Sequence, residues 1–446
     1  MKKLRLFLTI LICKLLRFMA KLIGRGSSLP GAIALKLYPS ILSQIKLPET
    51  VIAVTGSNGK TSTVEMIANV IEKAGKTVAY NKEGSNQIEG VTTLIIADCT
   101  LGGRMRSEVL LLESDERYAR HTFKYFHPKY YIINNLYRDQ LTRNGHPEWV
   151  YDVIGQSIYD DMTLVINGDD PLVTRFGYHR DNVFYFGADH LKEDKAVNDS
   201  IYDDGKYCPV CYHPMKYDYY HYNHIGSYHC THCDYHRPET RWTLTEADLE
   251  NGYIVIDNEY RIELSFTSIY HCYNTLAAFA ACDLAGIDRK IIARELSSYS
   301  LHSGRIQKFE LGRIRGTLLA SKHENSISYD RSIDVAITDP DKVNVMIIVD
   351  AVSRKYFTSE TSWLWDIDFE KLASVNRIIL AGRYCNDLAV RFEFTGIPAD
   401  RISLFVDIPA ACDYIKEKTD EYLYVITCFS DMNKFLNLAD RTEVGS

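Results

Sequence analysis

A chain of 446 residues, 46% hydrophobic and 24% charged, has the composition of an ordinary folded protein with room for about three domains. A net charge of −7 supplies no electrostatic footprint for nucleic acid, so no nucleic-acid partner is expected. Seven of the eleven cysteines (Cys13, Cys99, Cys272, Cys282, Cys385, Cys412 and Cys428) stand singly in apolar surroundings, which suits a reducing cytoplasm rather than a disulfide framework.

The N-terminus begins Met1-Lys-Lys-Leu-Arg5 and runs through apolar Leu6 to Cys13, much as a secretory signal would. Lys14, Arg17 and Lys21 then interrupt the run and no small-residue cleavage site follows, so neither export nor a membrane span is expected. Those three charges share one helical face, opposite Leu11, Leu15 and Leu22, which predicts an amphipathic helix. Two readings stay open: the helix packs on the protein, or it lies peripherally on an anionic membrane surface.

Val51 to Val54 reads as a buried strand that enters the turn Thr55-Gly-Ser-Asn-Gly-Lys-Thr61 and then the helical pattern Val64 to Ala74. Glycines at 56 and 59 let backbone N–H groups of the turn, Asn58 and Ser62 included, face a phosphate chain. Lys60 can reach its outer oxygens, and the Thr61 hydroxyl can sit on Mg²⁺. The general phosphate loop has a glycine six residues before its lysine, where this chain has Val54.

Short apolar runs at 77–80, 109–112, 130–134, 163–167 and 183–186 alternate with helical patterns, which implies a mostly parallel sheet with ligands at the carboxyl ends of its strands. Glu113, directly after one run, is the candidate Mg²⁺ ligand, because phosphates and an incoming carboxylate repel without a cation.

Cys208-Pro-Val-Cys211, eighteen further residues, then Cys230-Thr-His-Cys233 has the spacing of a zinc ribbon. Four thiolates fill a tetrahedral shell and leave no open position for water, so the zinc is structural. His213, His221, His224, His229, His232 and His236 are expected at the surface, and the flanking tyrosines are expected to pack the module.

Strands are expected at 253–256 and 261–266, and a helix at 270–285 that contains Asn274. Leu301-His-Ser-Gly-Arg305 offers an arginine that could approach phosphates bidentately. Apolar runs at 316–320, 343–349, 377–381, 402–406 and 422–427 form a second α/β pattern without a glycine-rich fingerprint. Within it, Thr361-Ser-Trp-Leu-Trp-Asp366-Ile-Asp368-Phe369 places two tryptophans and two carboxylates close together.

Together these motifs, with Asn81 to Asn86, Asn135 to Leu141 and Asn167 to Pro171, resemble the MurT family, the Mur-ligase-like subunits of lipid II isoglutaminyl synthase. The resemblance implies an N-terminal helical segment (1–46), a Mur ligase central ATP-binding α/β domain (47–305) with the ribbon inserted at 200–240, and a Rossmann-like C-terminal domain (306–446). It also implies ATP, Mg²⁺ and structural Zn²⁺, a lipid II substrate at the cytoplasmic membrane face, and ammonia delivered by a GatD-type glutaminase partner. The reaction implied is amidation of the α-carboxyl of D-glutamate to D-isoglutamine through an acyl phosphate. By position, Lys60 and Thr61 would meet phosphate and Mg²⁺, Glu113 Mg²⁺, Asn274 the adenine side, Arg305 the nucleotide, and Asp366 the glutaminase active site.

Departures gather in the C-terminal domain. Lys322-His-Glu-Asn-Ser-Ile-Ser328 stands where the family usually has Lys-Asn-Pro-Ala-Gly-Phe-Asn, and Val349 to Phe357 is likewise altered. Two alternatives therefore stay open beside amidation of lipid II: a ligase with a different acceptor carboxylate, and a non-catalytic nucleotide-binding scaffold.

Overall fold

The computed structural model describes residues 2–22, 28–81, 85–138, 146–198, 200–300, 306–339, 343–352 and 359–441. The chain divides into two compact units: Met1–Tyr137, Pro147–Asp199 and Asp203–Leu301 form one, and Arg138–His146, Ser200–Tyr202 and His302–Ser446 the other.

The first unit is built on β1 (Thr50–Thr55), β2 (Val78–Tyr80), β3 (Val109–Glu113), β4 (Tyr130–Ile133), β5 (Thr163–Asn167) and β6 (Val183–Ala188). A hairpin, β7 (Met215–Tyr222) and β8 (Ile225–Cys230), stands apart as its own two-stranded sheet, and β9 (Trp242–Asp248), β10 (Tyr253–Ile256) and β11 (Tyr260–Glu263) follow. Among the described residues the main sheet runs β11-β10-β9-β6-β5-β4-β1-β3-β2. Pairings from β2 through β9 are parallel, and β9, β10 and β11 close the edge in antiparallel register. The central strands are continuous apolar runs because both faces are covered, as parallel sheets require. Val51, Ala53, Leu110, Leu112, Tyr131 and Ile133 share one core with Ile10, Cys13 and Ala34 of the N-terminal helices.

Those helices are α1 (Lys2–Leu22) and α2 (Leu29–Leu37); α3 (Lys60–Lys73) and α4 (Ile88–Asp98) follow. α1 packs on α2 and α4. Ile10 and Cys13 carry its docked side, and a cation on each flank anchors it. The Lys14 ammonium donates to Ala97 O at 2.8 Å, and the Arg5 guanidinium to Leu37 O at 2.6 and 3.1 Å. Polar ends of helices offer unpaired carbonyls that such cations satisfy.

The second unit holds β12 (Ile306–Leu311), β13 (Ile314–Ser321), β14 (Asn344–Ile348), β15 (Arg377–Ala381), β16 (Ile402–Phe405), β17 (Leu423–Cys428) and β18 (Asp440–Arg441), in the order β16-β15-β14-β17-β13-β12-β18. Its five consecutive strands from β16 to β13 are parallel, and β12 and β18 add an antiparallel edge. Apolar cores lie on both faces.

The strand pattern differs from expectation at the sheet edge. Trp242–Asp248 is a further strand, whose alternation is broken where its register against β10 shifts at Val255/Ile256. The strand expected to reach Phe266 ends at Glu263, and Leu264 instead donates its N–H to Gly252 O at 2.8 Å.

Candidate functional site

At the carboxyl end of β1 the chain turns through Gly56 (φ 138°) and Gly59 (φ 82°) into α3. Both glycines are required: the φ values strain any L residue, and a Cβ at Gly59 would sit 2.0 Å from Asn274 Oδ1. Asn274, from the helix Ile269–Leu284, therefore lies directly against the loop.

The loop is held from below by the segment after β4. Asn58 N donates to Asn135 Oδ1 at 2.9 Å, Asn135 Nδ2 returns a bond to Asn58 O at 3.2 Å, and Ser57 N donates to Asn135 O at 3.0 Å. Tyr137 N donates to Ser57 Oγ at 2.9 Å. Asn135 and Tyr137 belong to this cradle, and sequence reasoning gave neither a role. Both fall in the Asn135 to Leu141 motif, but their role comes from partners about eighty positions earlier in the chain.

Lys60 and Thr61 open α3 and meet the acidic segment after β3. Lys60 Nζ lies 2.9 Å from Glu116 Oε2, both side chains being nearly buried, and also donates to Gly56 O. Thr61 Oγ1 donates to Glu113 Oε2 at 2.9 Å, and Asn86 Nδ2 reaches Glu113 Oε1 at 3.3 Å. Gly56, Asn58, Gly59, Lys60, Thr61, Ser62, Glu113 and Asn274 thus come together around one strand end, and Glu116, of the same acidic segment as Glu113, joins them through Lys60. Arg305 lies outside the described residues. Thr61 and Glu113 offer hard oxygen donors to a common point, the donor set that Mg²⁺ takes beside phosphates. The N-terminus of α3, the positive end of its dipole, adds an anion-binding edge.

The four ribbon cysteines converge. Their sulfurs all lie within 4.8 Å of one another, with Cys208 Sγ 3.7 Å from Cys233 Sγ and Cys211 Sγ 3.4 Å from Cys230 Sγ. Tetrahedral zinc with bonds of about 2.3 Å places sulfurs roughly 3.8 Å apart, so the cluster fits that ion. Burial raises the Cys230 thiol, but N–H donors from His232 and Cys233 outweigh it and lower its pKa.

Histidines of the ribbon divide. His213, His229, His232 and His236 are exposed as expected, but His221 and His224 are buried, a correction. Buried carboxylates supply their partners. His221 Nδ1 lies 2.6 Å from Asp194, and His224 Nε2 lies 3.4 Å from Asp170 Oδ1. Burial alone would lower the His224 pKa; the Asp170 carboxylate overcomes this and raises it. The tyrosines divide as well: Tyr217, Tyr220 and Tyr222 pack within the unit, whereas Tyr207 and Tyr212 are exposed.

Asp169 and Asp170, at the end of β5, tie this hairpin to the loop. Asp169 accepts from Arg237 Nε, Tyr273 OH and Ala188 N, each at 2.6 Å. Asp170 accepts from Leu136 N at 2.9 Å, the residue between the two loop-holding positions, and Tyr137 OH donates to Tyr222 OH of the hairpin at 2.9 Å.

In the second unit Asp366 ends the short helix Ser362–Asp366, with Trp363 buried and Trp365 exposed. Arg138 donates to Asp366 Oδ1 at 3.1 Å and stacks over Tyr202 at 5.0 Å. Glu324 in the altered stretch has φ 50°, and Asn325 caps the following helix by accepting from Ser328 N at 2.8 Å. Of Val349 to Phe357, residues 353–357 lie outside the described residues, and Asp350 and Ala351 donate their N–H groups to Asp431 at 2.9 Å.

Comparison with known proteins matches residues 54–282 to the Mur ligase middle domain and 323–432 to the MurT ligase C-terminal domain. The MurT subunit of lipid II isoglutaminyl synthase (glutamine-hydrolyzing) from Staphylococcus aureus strain COL is 27% identical over 394 residues, 86% of this chain and 87% of that one. Its counterpart from Streptococcus pneumoniae is 28% identical over 430 residues, 94% of each. Among solved structures, a pseudomurein peptide ligase type C from Methanothermus fervidus superposes with a TM-score of 0.69 at 20% identity, covering 89% of this chain and 79% of that one.

Proposed function

This chain belongs to the Mur ligase family and carries a MurT-type C-terminal domain, and on that premise we propose that it amidates the α-carboxyl of D-glutamate in lipid II at the expense of ATP. The observation that carries the reading is the meeting of Lys60, Thr61, Glu113 and Glu116 at the end of β1 and β3. The Ser57 and Asn58 N–H groups being spent on Asn135, the N-terminus of α3 with Ser62 and Lys60 holds the ATP phosphates, Asn274 meets the nucleotide from the Gly59 side, and Thr61 with Glu113 would hold Mg²⁺. When bound, the cation screens phosphate charge so that a carboxylate can approach.

The chemistry then runs in two balanced steps. A carboxylate oxygen of the acceptor attacks the γ-phosphorus, the bond to ADP breaks, and an acyl phosphate forms. Ammonia attacks the acyl carbon, loses a proton, and expels phosphate to leave the amide. Lys60 stabilises charge on the transferring phosphoryl group, and the loop orients it in line.

Nitrogen comes from a glutaminase partner of the GatD type. The cysteines outside the ribbon are buried, and burial pushes thiols such as Cys99, Cys272, Cys412 and Cys428 up to about 12, the wrong direction for a nucleophilic thiolate. Asp366, paired with Arg138, is the residue proposed to face that partner, and Arg305 a further nucleotide contact. The ribbon cysteines hold a structural zinc. The site acts in the cytoplasm, where the ATP and the acceptor's stem peptide meet.

Acceptor-dependent ADP release tests the reading. Protein with Mg²⁺-ATP and ammonium chloride is expected to release ADP only when lipid II is added, and Lys60→Ala is expected to abolish it. A second reading keeps the ATP chemistry and changes the acceptor. Glu324 favours it: its φ of 50° is closed to the proline that the family usually has there. A screen of other carboxylate acceptors for ADP release separates the two.

A further inference from the structure

We infer that the outward face of α1 is a docking surface for an anionic lipid bilayer. At about 3.6 residues per turn, Leu4, Leu8, Leu15, Phe18 and Met19 fall within one arc of the helix. All five are exposed: Leu4 63%, Leu8 45%, Leu15 56%, Phe18 67% and Met19 53%. The opposite arc is spent on the protein, with Ile10 and Cys13 in the core. Arg5 and Lys14 bound the exposed arc on either side, each fixed by its bond to a helix-terminal carbonyl. A contiguous apolar face of this kind on an otherwise well-packed unit marks an interaction surface.

Charge names the occupant. Residues 2–22 hold six cations (Lys2, Lys3, Arg5, Lys14, Arg17 and Lys21) and no carboxylate, although the whole chain carries −7. An apolar strip bordered by cations, on a helix too short of apolar length to cross a membrane, fits the boundary between acyl chains and anionic headgroups. A protein partner would need a surface both apolar and acidic; a bilayer supplies both together. The inference deepens the proposed function, whose acceptor is borne on a lipid. Its test reads vesicle binding rather than catalysis, so the two can fail separately.

The full chain is floated with vesicles of phosphatidylcholine alone and with vesicles that also contain phosphatidylglycerol. Binding to the anionic vesicles is expected to be at least about tenfold stronger and to weaken as salt is raised. Leu8→Glu/Leu15→Glu/Phe18→Glu should abolish it while leaving ATP binding and circular dichroism unchanged, since the three side chains touch solvent. Lys2→Gln/Lys3→Gln, which leaves the apolar face intact, should weaken it about fivefold per lysine. No flotation of the wild type, or equal flotation of wild type and both variants, overturns the inference. So does a wild-type dimer that the triple variant converts to monomer without any vesicle binding, which assigns the face to a second copy.

Discussion

The hydroxyl of Thr61 lies 2.9 Å from a carboxylate oxygen of Glu113, a contact that joins the first turn of α3 to the end of β3 across fifty-two residues of sequence. These two oxygen donors, with Lys60 one residue before Thr61, are the groups proposed to take Mg²⁺ and phosphate.

Glu113→Gln keeps the hydrogen bond from Thr61 and removes the charge. ATP turnover is expected to fall by about a hundredfold or more, with partial recovery at high Mg²⁺. Lys60→Ala should lose nucleotide binding itself. Calorimetry with ATP and steady-state ADP release check the pair; equal affinity and rate in Glu113→Gln would remove Glu113 from the metal site.

Zinc removal should reach the phosphate loop. The hairpin that joins the two cysteine pairs contacts Asp170 through His224 and Tyr137 through Tyr222, and Asp170 and Tyr137 in turn fix Leu136 and Ser57. Chelation, or Cys208→Ser, is expected to weaken ATP binding about tenfold. Tyr222→Phe, with zinc retained, should weaken it by a smaller factor, near the roughly 1 kcal/mol of one lost hydrogen bond. Unchanged affinity in the metal-free protein would contradict the coupling.

Asp366 separates two nitrogen sources. Asp366→Ala should lower glutamine-driven amidation with the partner present by about a hundredfold, and leave the ammonium-driven rate within about twofold, if it acts at the glutaminase and not at phosphoryl transfer. Equal loss in both assays would move Asp366 to the acceptor site.

Asp330 governs a pH effect in the second unit. Burial raises its pKa from 3.8 to about 7, against the lowering by the Asp368 N–H, which donates to Oδ1 at 2.9 Å, and by Lys371. A raised carboxyl pKa means that the folded state holds the proton while the unfolded state releases it. Stability therefore falls as pH rises from 3.8 to about 7, by up to roughly 4 kcal/mol. Asp330→Asn keeps the acceptor oxygen and cannot ionise. Urea unfolding should show it more stable than wild type at pH 8, with the difference shrinking toward pH 5.

The turn from Gly56 to Thr61 was legible in the sequence because strand, glycine turn and helix are consecutive, and the place of Glu113 beside it because the ends of neighbouring parallel strands lie together. Glu116 was not, since its meaning comes from Lys60, fifty-six residues away. His221 and His224 read as surface residues in a polar hairpin; buried Asp169, Asp170 and Asp194, placed by the fold, make their burial tolerable. The amphipathic pattern of α1 was plain, but not which face docks. Ile10 and Cys13 dock, with Arg5 on one flank and Lys14 on the other bonded to helix-end carbonyls, an arrangement that periodicity alone does not contain.

The central claim is that an acceptor carboxylate attacks ATP and is then amidated. Lipid II with heavy oxygen in the α-carboxyl of D-glutamate, incubated with the protein, Mg²⁺-ATP and ammonium, tests it most directly. Label should pass to inorganic phosphate, and the lipid product should carry an amino group in place of a carboxyl oxygen. Unlabelled phosphate, released at the same rate without lipid II, would contradict the account.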